Sequence, residues 1–138
     1  MGIEMTFEID GQLSSKRVLE ILKANGFVEY EQLDSGFCAF HAESRLDAYF
    51  YMKEEPEAVL AEGLIPPKWK CTFRMTFRFS KDNYQASEFE TMKFSRALAS
   101  QSPAYFALSF QYENVFAIRD ERGYREISDT TATMQTPV

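Results

Sequence analysis

Three stretches of the chain alternate strictly between apolar and polar side chains. Residues 3–9 put Ile3, Met5, Phe7 and Ile9 on one side and Glu4, Thr6 and Glu8 on the other, with Asp10 continuing the polar row. Residues 71–79 set Cys71, Phe73, Met75, Phe77 and Phe79 against Thr72, Arg74, Thr76 and Arg78. Residues 46–53 set Leu46, Ala48, Phe50 and Met52 against Asp47, Tyr49, Tyr51 and Lys53. A period of two is the mark of a half-buried strand. The polar rows of the first two strands are complementary, one acidic and one basic. Opposite charges across a strand pair contribute about 0.2–1 kcal/mol each. This predicts that 3–9 and 71–79 are neighbours, with Glu4 and Glu8 near Arg74 and Arg78.

The remaining elements follow from caps and breakers. Ser14-Ser15 can cap a helix carrying Val18, Leu19, Ile21 and Leu22, which stops at Asn25-Gly26. Phe27–Leu33 and Phe37–Ala42 read as strands joined by an Asp34-Ser35-Gly36 turn. Glu54-Glu55-Pro56-Glu57 predicts the start of a short helix to about Glu62, because acids suit a helix N-terminus. Residues 65–70 read as an extended loop. A second main helix is predicted from Ser87, with Ser87 and Glu90 in capping-box positions, to about Ser100. Ala104–Tyr112 reads as a strand, and 114–119 with 124–127 as a hairpin around Asp120-Glu121-Arg122-Gly123. Runs of adjacent strands with segregated helices indicate an α+β fold. We expect a single domain over residues 1–127, a largely antiparallel sheet packed against two main helices, and a flexible polar tail over 128–138.

Composition narrows the function. The chain has 138 residues, 45% of them hydrophobic, with 13 Phe, 7 Tyr and one Trp. That content is too apolar for intrinsic disorder. A net charge of −6 argues against phosphate or anionic-membrane binding, both of which want basic surfaces. No stretch approaches the ~20 apolar residues of a membrane span, and the N-terminus lacks the basic start and apolar run of a signal peptide. A cytoplasmic protein is the expectation. One histidine, His41, and two cysteines, Cys38 and Cys71, are too few for a structural zinc site. The two cysteines could be neighbours in space, yet read best as reduced, buried thiols. His41-Ala42-Glu43 has the H-x-E spacing of zinc deaminases without their P-C-x-x-C partner. Cys38 and His41, three apart on a strand, point to opposite faces and cannot pair as nucleophile and base. His41 reads as a half-buried side chain bonded to backbone. No nucleophile elbow, P-loop or dinucleotide fingerprint is present, so we expect no enzyme and no cofactor.

Charge is unevenly distributed. Residues 1–62 hold 13 acids and 5 bases, whereas residues 63–138 hold 8 acids and 10 bases. The acids concentrate in the meander, at Glu29, Glu31, Asp34, Glu43, Asp47, Glu54, Glu55, Glu57 and Glu62, interleaved with Tyr30, Tyr49 and Tyr51 and followed by Trp69. Acidic charge steers encounter with a basic partner, and aromatics supply contact energy. The expected partner-binding set is therefore Glu29, Glu31, Asp34, Glu43, Asp47, Tyr49, Tyr51, Glu54, Glu55, Glu57 and Trp69.

A small, acidic, Phe-rich α+β chain that ends in a helix and the strand-hairpin run Phe106–Asp120 resembles, as a type, the immunity proteins of bacterial polymorphic toxin systems. Contact-dependent inhibition and type VI secretion supply examples. The resemblance implies a cognate toxin as partner, often a basic nuclease or nucleotide-modifying enzyme, occluded without chemistry. Two other readings follow from the residues. One is a small-molecule or lipid binder with a Phe-lined pocket between helices and sheet. The other is a nucleic-acid mimic with acids spaced like phosphates.

Overall fold

The computed structural model describes residues 3–63 and 67–127. Its elements are β1 (Glu4–Ile9), α1 (Ser15–Ala24), β2 (Phe27–Leu33), β3 (Gly36–His41), β4 (Leu46–Glu57) and β5 (Cys71–Arg78). A 3-10 turn at Lys81–Asn83 then leads into α2 (Tyr84–Gln101), β6 (Phe106–Phe110), β7 (Asn114–Asp120) and β8 (Gly123–Glu126). The strands form one antiparallel sheet in the order β2-β3-β4-β5-β1-β6-β7-β8. The first strand thus lies between two meanders and joins them into one sheet. The fold is α+β, as the segregated pattern of elements indicates.

The two helices share one face of the sheet, and the apolar rows meet beneath them. The Phe7 ring on β1 contacts Phe77 of β5 at 5.3 Å, Phe94 of α2 at 5.4 Å and Phe106 of β6 at 5.9 Å between centroids. Edge-on and tilted ring contacts of this kind suit the aromatic quadrupole. Ser14 caps α1 by accepting the Arg17 N–H at 3.1 Å, and Val18, Ile21 and Leu22 form its buried stripe. Gly26 ends the turn with φ of +91°, and a Cβ there would stand 3.1 Å from His41 Nε2. Position 26 therefore needs glycine for conformation and for space.

The complementary strands pair as their charges require: Glu4 opposes Arg78 and Glu8 opposes Arg74. The structure differs from the sequence reading in three places. Glu54–Glu62 is not a helix. β4 runs on to Glu57, and the following residues cross the outer face of the sheet as a strap. The Glu8 carboxylate takes the N–H groups of Leu60 (2.7 Å) and Ala61 (3.0 Å), and Arg74 takes Glu57 (2.8 Å). These tertiary bonds outweigh a weak helix-start signal. Next, α2 begins at Tyr84, because Ser87 is fully buried and donates to the Ser44 carbonyl instead of capping. Finally, the strand expected to reach Tyr112 ends at Phe110, where Gln111 and Tyr112 turn the chain with positive φ. The expected tail, 128–138, lies outside the described residues, as do Ile65 and Pro66 of the expected loop.

Candidate functional site

The sheet face away from the helices is covered on one half and open on the other. On the open half, around β2, β3 and β4, a bulge at Tyr30 interrupts the β2–β3 register between Glu29 and Glu31. An extra residue re-aims the side chains around it. Tyr30 reaches past β3 to donate its hydroxyl to Asp47 Oδ1 at 2.9 Å. Desolvation and this bond to a carboxylate push the phenol above its ordinary pKa. Arg78 lies over the Tyr49 ring at 5.3 Å from its centroid and bonds Glu4 Oε2 at 2.9 Å. Tyr51 pairs with Arg74 across β4–β5 and stands under Lys53. This half of the face exposes Tyr30, Val28 and Tyr51 to solvent.

The expected binding residues separate into distinct places. Glu31, Asp47, Tyr49 and Tyr51 share the open face with Tyr30. Asp34 lies in the β2–β3 turn and Glu54 and Glu55 on the far part of β4; Gly36 pairs with Tyr51, which puts all three at one end of the sheet. Glu43 lies in the β3–β4 turn at the opposite end. Glu29 turns toward the helix side, opposite Ala39, where it borders a groove with α1. Glu57 is engaged by Arg74 and by Lys53 at 3.5 Å, and the Arg74 hydrogen bond holds its carboxyl below the usual range. Trp69 is remote from the tyrosines. It lines a groove of about 380 Å³ with Lys68, Ile118 and Arg125 beside the β7–β8 hairpin. Glu31, Asp34, Glu43, Glu54 and Glu55 are exposed and make no ion pair among the described residues.

Several exposed apolar side chains escaped the sequence reading as surface features, Met52 and Leu33 among them. Met52 belongs to the inward row of β4 and Leu33 ends β2, yet each is 46% exposed. The cause is length. A strand of 12 residues such as β4 spans ~40 Å. A helix of 10 residues such as α1 spans ~15 Å. The far part of β4 and the β2–β3 turn therefore overhang the helix layer. The alternating pattern carried the direction of Met52; the mismatch of spans was the available signal for its exposure.

The candidate chemistry resolves into structural roles. His41 Nδ1 accepts the Ser44 N–H at 3.2 Å and lies 2.7 Å from Ser44 Oγ, while Nε2 faces Glu90 at 3.6 Å. His41 is buried and Ser44 is 1% exposed, so this trio ties the β3–β4 turn to α2. Cys38 and Cys71 are free thiols and do not meet: Cys38 pairs with Tyr49, which pairs with Thr76, five residues along β5 from Cys71. Burial pushes both thiols up, that of Cys71 to about 11. Among the described residues no group of three or more His, Cys, Asp and Glu is placed to hold a metal ion. Nor is any described helix long and apolar enough to cross a membrane. Phe50 stacks with Phe37 at 4.8 Å and with Phe73 at 5.2 Å, so these rings fill the core against one another. No protein-family model, curated protein or solved structure matches this chain.

Proposed function

We propose that the chain is a non-enzymatic inhibitor of the immunity type, which occludes a basic toxin domain with the open half of its sheet face. One observation carries this reading. Carboxylates that make no ion pair among the described residues, at Glu31, Asp34, Glu54 and Glu55, lie around exposed Val28, Tyr30 and Tyr51, with Leu33 and Met52 exposed at the same end of the sheet. An apolar and aromatic centre rimmed by charge is the anatomy of a protein-binding surface. Among the described residues elsewhere, six acids pair with the chain's own arginines, as Asp120 does with Arg125 and Glu126 with Arg96. Single-sign charge left unpaired at one end favours a cationic partner.

The ring-on-ring packing of the phenylalanines favours this reading over a Phe-lined ligand pocket, because such a pocket needs room that the rings fill. The test is co-expression with the product of the adjacent gene, followed by affinity capture and a toxicity assay. We expect a complex, rescue of growth, and an association rate that falls with salt. The triple substitution Glu31→Lys, Glu54→Lys, Glu55→Lys should slow association by roughly tenfold or more, the range over which charge steers encounter. Unchanged, salt-independent association would overturn the acidic-face reading. A neighbour that forms no complex and is not neutralised would overturn the immunity reading itself.

A further inference from the structure

At the overhanging corner of the sheet, α1 and the β2–β3 hairpin enclose a groove of about 370 Å³. That lies within the ~300–1,000 Å³ of typical ligand clefts. Its walls are of two kinds. Leu19, Leu33, Phe37 and Met52 supply apolar surface, and Glu29 and Asp34 supply carboxylates. Glu29 Oε2 is shielded from solvent and has no hydrogen-bond partner among the described residues. A carboxylate oxygen left in that condition is costly unless a cation or donor reaches it. Lys16 also borders the groove, yet it makes no ion pair among the described residues.

We propose that this groove is the receptor for one Lys or Arg side chain projecting from the partner protein. The chemistry matches both walls. The methylene stem of such a side chain lies on apolar surface while its head seeks an anion. Here the stem would run over Leu33 and Met52, and the head would meet the Glu29 carboxylate as it turns Oε2 into the groove, with Asp34 at the rim. An apolar side chain would leave the Glu29 oxygen unpaired, and an acidic one would be repelled. Residues 128–138 contain no Lys or Arg, so the tail of this chain does not supply the cation. The inference rests on the immunity reading for the identity of the partner, but the preference of the groove for a cation does not.

The test separates the two. Labelled protein is titrated with the capped tripeptides Gly-Arg-Gly, Gly-norleucine-Gly and Gly-Glu-Gly, and the Leu33 and Met52 methyl signals are followed by NMR. The expected result is saturable shifts with the arginine peptide, weaker ones with norleucine and none with glutamate. Glu29→Gln, which preserves shape, should weaken the arginine peptide about tenfold, as loss of a charge-assisted hydrogen bond does. Asp34→Asn, at an exposed site, should weaken it by less. Equal shifts with all three peptides, no saturable shift, or no effect of Glu29→Gln would overturn the proposal. If the toxin complex forms and is lost with the triple lysine variant but is indifferent to Glu29→Gln, the groove proposal fails and the immunity reading stands. If no toxin complex exists while the peptide preference holds, the immunity reading fails and the groove remains a basic-side-chain receptor.

Discussion

Two ion pairs on the same two strands, two steps apart in the same row, have opposite fates. Glu4–Arg78 and Glu8–Arg74 are both direct cross-strand partners of β1 and β5. The Glu4 and Arg78 side chains are 41% and 54% exposed, whereas those of Glu8 and Arg74 are 0% and 5% exposed. The difference lies above them. The strap after β4 passes over Glu8, giving it the Leu60 and Ala61 N–H groups, and Tyr112 lies 5.9 Å from the Arg74 guanidinium. Among the described residues nothing comparable covers Glu4. The comparison teaches that a charge pair of one design is a surface decoration where the sheet is open and a structural clamp where a loop returns over it. The openness also leaves the outward side chains of that half in solvent.

The contrast can be broken most forcefully at the clamp. Arg74→Met leaves Glu8 buried without its cation, and such a loss costs about 3–5 kcal/mol. Denaturant melts should show that loss, and the Glu8→Gln, Arg74→Met double variant should recover part of it. In native-state hydrogen exchange the Leu60 and Ala61 amides, protected in the parent, should exchange much faster in Glu8→Gln. A cost below about 1 kcal/mol for Arg74→Met would place the pair with ordinary surface bridges.

A second pair sharpens the comparison by titration. Arg125, bonded through both guanidinium ends, together with the Arg122 N–H, holds Asp120 at about 2, below its ordinary 3.8. A depressed carboxylate stabilises the fold above its unfolded pKa, and that contribution is lost as pH falls through its folded pKa. The parent should therefore exceed Asp120→Asn in stability by a constant margin above about pH 5, closing as pH falls from there to about 2. Melting curves of the two proteins across that range check it. A margin independent of pH would mean that the pair is not what stabilises the hairpin. The smallest effect belongs to the open pair: Arg78→Gln should cost only ~0.2–1 kcal/mol, and less in high salt. Matched melts at low and high ionic strength measure it.

Much of the molecule was legible in the residues. Strict alternation at 3–9, 46–53 and 71–79 located three strands and their faces, and opposite charge rows named β1 and β5 as neighbours. Ser14 and Gly26 bounded α1. The acidic meander pointed to Glu31, Asp34, Glu54 and Glu55, which are exposed, and Asp34, Glu54 and Glu55 share one end of the sheet. Other assignments failed for reasons of distance along the chain. The segment after Glu54 has helix-start chemistry, but its amides are taken by Glu8, some 50 residues earlier. Trp69 follows the meander in sequence, yet lies against β7 and β8.

In the three strictly alternating strands the sequence by itself determined which side a residue faces, because period-two geometry is local, and it determined the charge each of those faces carries. Only the tertiary structure decided which of those outward residues stay wet. Coverage depends on where the strap crosses and on how far a 12-residue strand outruns a 10-residue helix. Those are properties of assembled elements, since solvent is excluded by neighbours that are distant in the chain. That is why Glu8 and Glu4, alike in pattern, part company, and why Met52, an inward residue, is left exposed at the end of the sheet.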